Sequence, residues 1–216
     1  MNKITVIGAG HVGSSVCSSL LNQGLAKEIA LIDLNKDLVT GEVMDLSDAA
    51  CILDSTKNIK EGTYDDILDS EAIIITAGLS QSIGVSKGRM AGLTQCLKIM
   101  TSIVSQIKER NYQGFIIVAS NPLDVMSYYA YKLSGLKSSQ VIGTGTLLDS
   151  ARARLVLAKE LNVLPSEVET MVLGEHGSHQ FLASSLTTVK GEPLLSYLEK
   201  KKIKEAAASL IGLKRK

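Results

Sequence analysis

Short apolar runs alternate with stretches of helical period along most of the chain. Ile4, Val6 and Ile7 form a run of strand length that stops at Gly8, and from Val12 to Leu25 the apolar positions recur at helical steps. EIALI at 28–32 is a second strand, and Lys36 to Leu53, with Leu38, Val39, Val43, Met44 and Leu46, is a second helix. A short strand over Asn58 to Thr63 and a helical turn over Tyr64 to Leu68 follow. AIIITA at 72–77 is nearly continuous and β-branched, as a central parallel strand covered on both faces requires. The spacing then predicts a helix from about Arg89 to Arg110, a strand over Phe115 to Ser120, a break at Asn121-Pro122, a helix over Leu123 to Leu133 and a closing strand at Gln140 to Ile142. Strands alternating with helices imply an α/β chain built on a doubly wound parallel sheet.

After Gly145 the pattern changes. Leu147 to Leu161 is a strong amphipathic helix, Pro165 starts a short helical element, Thr170 to Leu173 reads as a strand, and Ser185 to Leu195 reads as a hairpin around Lys190-Gly191. A boundary near residue 143 therefore separates a doubly wound domain, 1–143, from an α+β domain, 144–216.

The first strand runs into Gly8, Gly10 and Gly13, with His11 and Val12 in the variable slots, and a helix opens directly behind them. That is the context in which a GxGxxG hexad cradles a dinucleotide pyrophosphate on helix amides, the Rossmann arrangement. Gly8 suits a sharp turn, Gly10 a close backbone approach to the phosphates, and Gly13 tight packing of helix on strand. Asp33 lies twenty residues after Gly13, where the fingerprint wants an acid for the adenosine ribose hydroxyls. A carboxylate there repels a 2′-phosphate, so the expected cofactor is NAD rather than NADP. Ala77-Gly78 and the loop Leu79 to Gly88 end the central strand on the side where open α/β sheets bind ligands.

Composition excludes more than it assigns. The 216 residues carry a net charge of +1, which argues against nucleic acid as the main partner, although Lys200, Lys201, Lys202, Lys204, Lys214, Arg215 and Lys216 crowd one end. Cys17, Cys51 and Cys96 are odd in number and lack CxxC spacing, so they are expected to be buried thiols in a reducing compartment. No apolar run approaches a membrane span and no leader precedes the first strand, so a cytoplasmic location is expected.

Hydride transfer between a hydroxyl and nicotinamide needs an acid–base group, a partner to hold it, a cation for a substrate anion and charge stabilisation at the carbonyl. His176, between two glycines, suits the first role and Asp149 the second. His176 and His179 are three apart, but the glycines oppose a regular helix and no further ligand cluster appears, so no metal site is expected. By the residues alone, Asp149 and Arg152 could equally be a surface ion pair at helical spacing.

GTGTLLDSARAR (143–154), VLGEHGSHQF (172–181) and VASNPLD (118–124), with the hexad and Asp33, resemble the L-lactate and L-2-hydroxyisocaproate dehydrogenases of the lactate/malate dehydrogenase family. The resemblance implies that His176 is the proton donor and acceptor, Asp149 its partner, Arg152 the clamp on the substrate carboxylate, and Asn121 the residue orienting nicotinamide and substrate oxygen. It implies Arg89 as the mobile-loop cation, with Lys87 as a competing alignment because the loop is longer than in typical lactate dehydrogenases. Gln81 falls where the family chooses between mono- and dicarboxylates, and a neutral glutamine favours a 2-oxo monocarboxylate. A homo-oligomer is implied as well. The chain stops at Lys216, about where the family continues, so the resemblance implies a complete cofactor domain joined to an incomplete substrate domain. An NAD-binding chain without turnover is the alternative.

Overall fold

The structure, a computed structural model, describes residues 2–53, 58–79 and 92–200. It divides into two compact units, Met1–Thr144 and Gly145–Lys216. In the first, six parallel strands, β1 (Lys3–Ile7), β2 (Glu28–Ile32), β3 (Asn58–Glu61), β4 (Ala72–Ile75), β5 (Phe115–Val118) and β6 (Val141–Gly143), lie in the order β3-β2-β1-β4-β5-β6. Between them run α1 (His11–Asn22), α2 (Lys36–Ala50), α3 (Leu93–Glu109) and α4 (Leu123–Ser134), with a 3₁₀ turn at Tyr64–Ile67. The order reverses between β1 and β4, which opens a crevice at the carboxyl ends of the strands.

Alternate residues of β1 and β4 serve different layers. Ile4, Val6 and Ile74 pack with Cys17 and Leu21 of α1 and Val39 of α2, while Ile7, Ile73 and Ile75 pack with Met100, Ile103 and Ile107 of α3 and Met126 of α4. With both faces covered, neither side of β4 can be polar, which is why its apolar run is unbroken.

Several expectations need adjustment. α1 stops at Asn22, short of Leu25, because Gly24 turns the chain with φ 62°. Cys51, expected to be buried, is exposed: α2 ends at Ala50 and Cys51 lies just past its packed face. Cys17 and Cys96 are buried, and burial pushes the Cys17 thiol up to about 12. The start of the helix expected at Arg89, with Gln81 and Lys87, lies outside the described residues, as does the basic end beyond Lys200.

The second unit comprises α5 (Leu147–Leu161), β7 (Val168–Glu169), β8 (Val172–Leu173), β9 (Phe181–Leu182), β10 (Thr188–Val189), β11 (Glu192–Pro193) and α6 (Leu194–Lys200). β11-β10-β7 form one antiparallel sheet and β8-β9 a ribbon. Of the strand expected over Thr170 to Leu173 only Val172–Leu173, β8, is strand; β7 precedes the expected span and pairs with a different partner. The hairpin is shorter than expected and turns on Lys190 (φ 52°) and Gly191 (φ 77°), a two-residue turn with both φ positive. Leu194, Tyr197 and Leu198, at helical steps, pack with Leu157 and Leu161, so the segment after Pro193 is a helix and not the end of a strand.

An ion cluster ties the amino ends of the first unit's strands together. Lys3 Nζ, on a buried residue, lies 2.7 Å from Asp69, 3.0 Å from Asp66 and 3.4 Å from Glu28, and Lys60 Nζ lies 2.7 Å from Asp66 and 3.1 Å from Glu28. Burial alone would raise the Asp66 carboxyl, but hydrogen bonds from Lys60, the Thr63 amide and Lys3 hold it well below the usual carboxylate range. A depressed carboxylate contributes stability that is complete above its unfolded pKa of about 3.9 and fades as pH falls below that value. Asp66→Asn should therefore cost about 3 kcal/mol at pH 7, leaving Lys3 under-compensated. Urea unfolding at pH 7 and pH 3 checks this: the gap to wild type should narrow at pH 3, and an unchanged gap would contradict it.

Candidate functional site

The crevice of the first unit is a cleft of about 700 Å³ at the carboxyl ends of β1, β2 and β4. Gly8, Gly10, Asp33, Ala77 and Gly78 all line it. Gly8 has φ +114°, and a Cβ there would meet the Ala77 amide at 2.6 Å. A Cβ on Gly13 would lie 1.8 Å from the Gly8 carbonyl oxygen, so helix and strand touch backbone to backbone. Gly10 differs: among the described residues nothing lies within 4 Å of its Cβ position. The room in front of it is cleft rather than protein.

Polar groups converge on this room. Asp33 accepts from the Ala9 amide through Oδ2 at 2.8 Å and from the Asn35 amide through Oδ1 at 2.9 Å, so each oxygen keeps lone-pair capacity for a ribose hydroxyl. Thr76 Oγ1 donates to the carbonyls of Gly8 (2.9 Å) and Ile7 (3.2 Å), locking the turn to the end of β4. Among the described residues no side chain caps the amino end of α1 and no acid lies in its first turn, which leaves the positive end of the helix for an anion. These residues fit the adenosine and pyrophosphate parts of NAD.

The cleft also uses residues the sequence pattern did not single out. Thr63 and Tyr64 enter from the end of β3, and Gln95, Lys98, Ile99 and Ser102 form one face of α3. Burial raises the Tyr64 phenol. Two signals were present: the carboxyl end of a parallel strand and the three- and four-residue spacing on α3. His11 and Val12 do not line the cleft; they are exposed on the first turn of α1, along a shallower depression with Ser15 and Ser19. Asn121 is exposed past the end of β5. Gln81, Arg89 and Lys87 lie outside the described residues.

The second unit brings three residues predicted from the sequence, Asp149, Arg152 and His176, together. Asp149 sits in the first turn of α5, its side chain only 6% exposed, and Oδ2 lies 2.5 Å from His176 Nδ1. Arg152, one helical turn on, grazes Asp149 Oδ1 at 3.9 Å with its own side chain 64% exposed, so its fork of donors is turned to solvent. His179 pairs with Glu175 at 2.7 Å. Among the described residues no group of three or more His, Cys, Asp or Glu could hold a metal ion, and no helix is long and apolar enough to cross a membrane.

The first unit is thus a dinucleotide-binding Rossmann fold, and the second holds a histidine–aspartate pair with an outward arginine. The chain belongs to the lactate/malate dehydrogenase family: residues 2–143 match that family's NAD binding domain and residues 146–212 its alpha/beta C-terminal domain. L-lactate dehydrogenase 3 of Bacillus cereus is 44% identical over 200 residues, which are 93% of this chain and 63% of that protein. The chain thus spans about 63% of the length of the curated relatives it matches. Among solved structures, the minor L-lactate dehydrogenase of Enterococcus mundtii in its ligand-bound form covers 97% of this chain and 68% of its own, at 35% identity and TM-score 0.87. The Cryptosporidium parvum lactate dehydrogenase complexed with lactic acid and NAD covers 97% and 67%, at 30% identity and TM-score 0.85.

Asp33→Asn should weaken NADH binding by about tenfold, the equivalent of one charge-assisted hydrogen bond to ribose, and narrow the preference over NADPH. Titration of the full chain with NADH and NADPH, followed by nucleotide fluorescence, measures both; unchanged affinity and preference would contradict the assignment.

Proposed function

We propose that this chain catalyses NAD-dependent interconversion of an L-2-hydroxy acid and its 2-oxo acid. The observation that carries the proposal is the 2.5 Å pair between His176 Nδ1 and buried Asp149, one helical turn from the exposed guanidinium of Arg152. When bound, NAD supplies or accepts the hydride. With Nδ1–H donated to Asp149, His176 Nε2 faces the other way and moves the proton to and from the substrate oxygen. The Asp149 carboxylate fixes the tautomer and stabilises the imidazolium when it forms. Arg152 holds the substrate carboxylate through a planar two-point contact that an ammonium would not reproduce.

Asn121 is assigned to orient the nicotinamide and the substrate oxygen, and Arg89 or Lys87 to polarise the carbonyl. Neutral Gln81 favours monocarboxylates, because a second buried carboxylate would lack a partner. The longer loop suits side chains larger than methyl, as in 2-oxoisocaproate. With this function go a reducing, cytoplasmic setting, in keeping with the buried unpaired thiols of Cys17 and Cys96, and self-association to a homo-oligomer.

The test is NADH consumption by the full chain with pyruvate, 2-oxoisocaproate and oxaloacetate. Turnover of either monocarboxylate ahead of oxaloacetate is expected, and His176→Asn should lower it by about 10³-fold while leaving NADH binding in place. Binding of NADH without turnover of any 2-oxo acid would overturn the enzymatic assignment, and faster oxaloacetate reduction would overturn the substrate class. Arg152→Lys should raise KM for the oxo acid by at least about tenfold, read from steady-state kinetics.

A further inference from the structure

We infer that Thr146 and Ser150 are positioning residues: their hydroxyls clamp both backbone polar groups of Val172 and so set the distance between Asp149 and His176. The functional weight of this clamp rests on the acid–base role proposed for His176; the clamp itself rests on geometry alone. Thr146 Oγ1 donates to the Val172 carbonyl at 2.5 Å, and the Val172 amide donates to Ser150 Oγ at 2.9 Å. Ser150 Oγ in turn donates to the Thr146 carbonyl at 2.9 Å, closing the ring of contacts on the first turn of α5.

The need for the clamp follows from the ribbon. β8 has β9 on one side, Val172 standing opposite Leu182, and the neighbouring Met171 carbonyl is taken by the Ala183 amide at 2.9 Å. Backbone groups alternate sides along a strand, so the amide and carbonyl of Val172 point away from β9. Val172 is buried, and a buried amide or carbonyl left unpaired costs about 1–3 kcal/mol. Thr146, the residue that precedes α5, and Ser150 in its first turn are four residues apart, with Asp149 between them in the chain. The helix that presents the carboxylate therefore also grips the strand that leads, four residues later, to His176. Gly174 at φ +99° turns the chain between grip and ring, with a Cβ position 2.5 Å from the His179 carbonyl, so the turn has little room to absorb a slip.

The experiment uses the full chain with ¹⁵N-labelled histidine. The downfield Nδ1–H proton resonance of His176, assigned by its absence in Asp149→Asn, reports the pair without requiring turnover. Thr146→Val and Ser150→Ala should each lose or broaden that resonance, whereas the hydroxyl-retaining Thr146→Ser and Ser150→Thr should keep it. Leu157→Ala, which opens the buried core of the same unit, serves as a variant of lowered stability that should keep the resonance while folded. Where wild type turns over a 2-oxo acid, the two clamp variants should lose about tenfold or more in kcat, as misplacement of a catalytic group does, with NADH affinity changed less than twofold. Retention of the resonance in folded Thr146→Val and Ser150→Ala, its loss in Leu157→Ala as well, or its absence from wild type would each overturn the clamp. Loss of the resonance in the clamp variants with no turnover in wild type would leave the clamp standing and sink the proposed reaction instead.

Discussion

The first unit depends on one contact that no side chain makes. Gly13 of α1 lies against the Gly8 carbonyl so closely that a methyl group would sit 1.8 Å from the oxygen. That approach lets α1 start directly at the end of β1, which aims its uncapped amino end into the crevice. A chain of hydrogen bonds across the strand ends holds the contact. The Gly8 amide donates to Ile32, the Thr76 hydroxyl to Gly8, the Thr76 and Ala77 amides to Ile7, and Ser120 Oγ to Ala77 at 2.6 Å. The turn side of the cleft is thus walled by hydrogen-bonded backbone, with the Asp33 carboxylate held beside it by the Ala9 amide.

The second unit solves a different problem with the same economy of parts. The acid–base role proposed for His176 asks that one ring nitrogen be presented and the other held. Buried Asp149 does the holding, and the helix that carries it displays Arg152 outward from the next turn. The flanking hydroxyls of Thr146 and Ser150 bring the strand leading to His176 onto the start of the same helix.

Most of the sheet was legible because both-face burial leaves a strong trace: β-branched runs bounded by glycine, each followed by a helical period. The hexad and Asp33 were legible because their spacing is set by backbone geometry and not by distant contacts. Tyr64 was not, since its place on the cleft comes from the strand order, which brings the end of β3 to the crevice. The exposure of Cys51 was hidden by a helix end three residues earlier than the apolar pattern, which ran to Leu53, suggested. Helix α6 was misread because Leu194 and Leu195 follow a genuine hairpin, and only the packing of Tyr197 and Leu198 onto α5 shows the period. The Asp149–His176 pair joins residues 27 apart in sequence, and no local pattern encodes that distance.

The glycine contact can be tested by thermal unfolding of Gly13→Ala and Gly10→Ala with and without NADH. If the close approach builds the unit, Gly13→Ala loses about 10 °C or more without ligand, as a core clash of a few kcal/mol does at this chain length. Gly10→Ala, whose added methyl meets only open cleft, should melt within about 2 °C of wild type yet lose most of the rise that NADH gives. A Gly13→Ala chain that melts like wild type and keeps its NADH-induced rise would contradict the account.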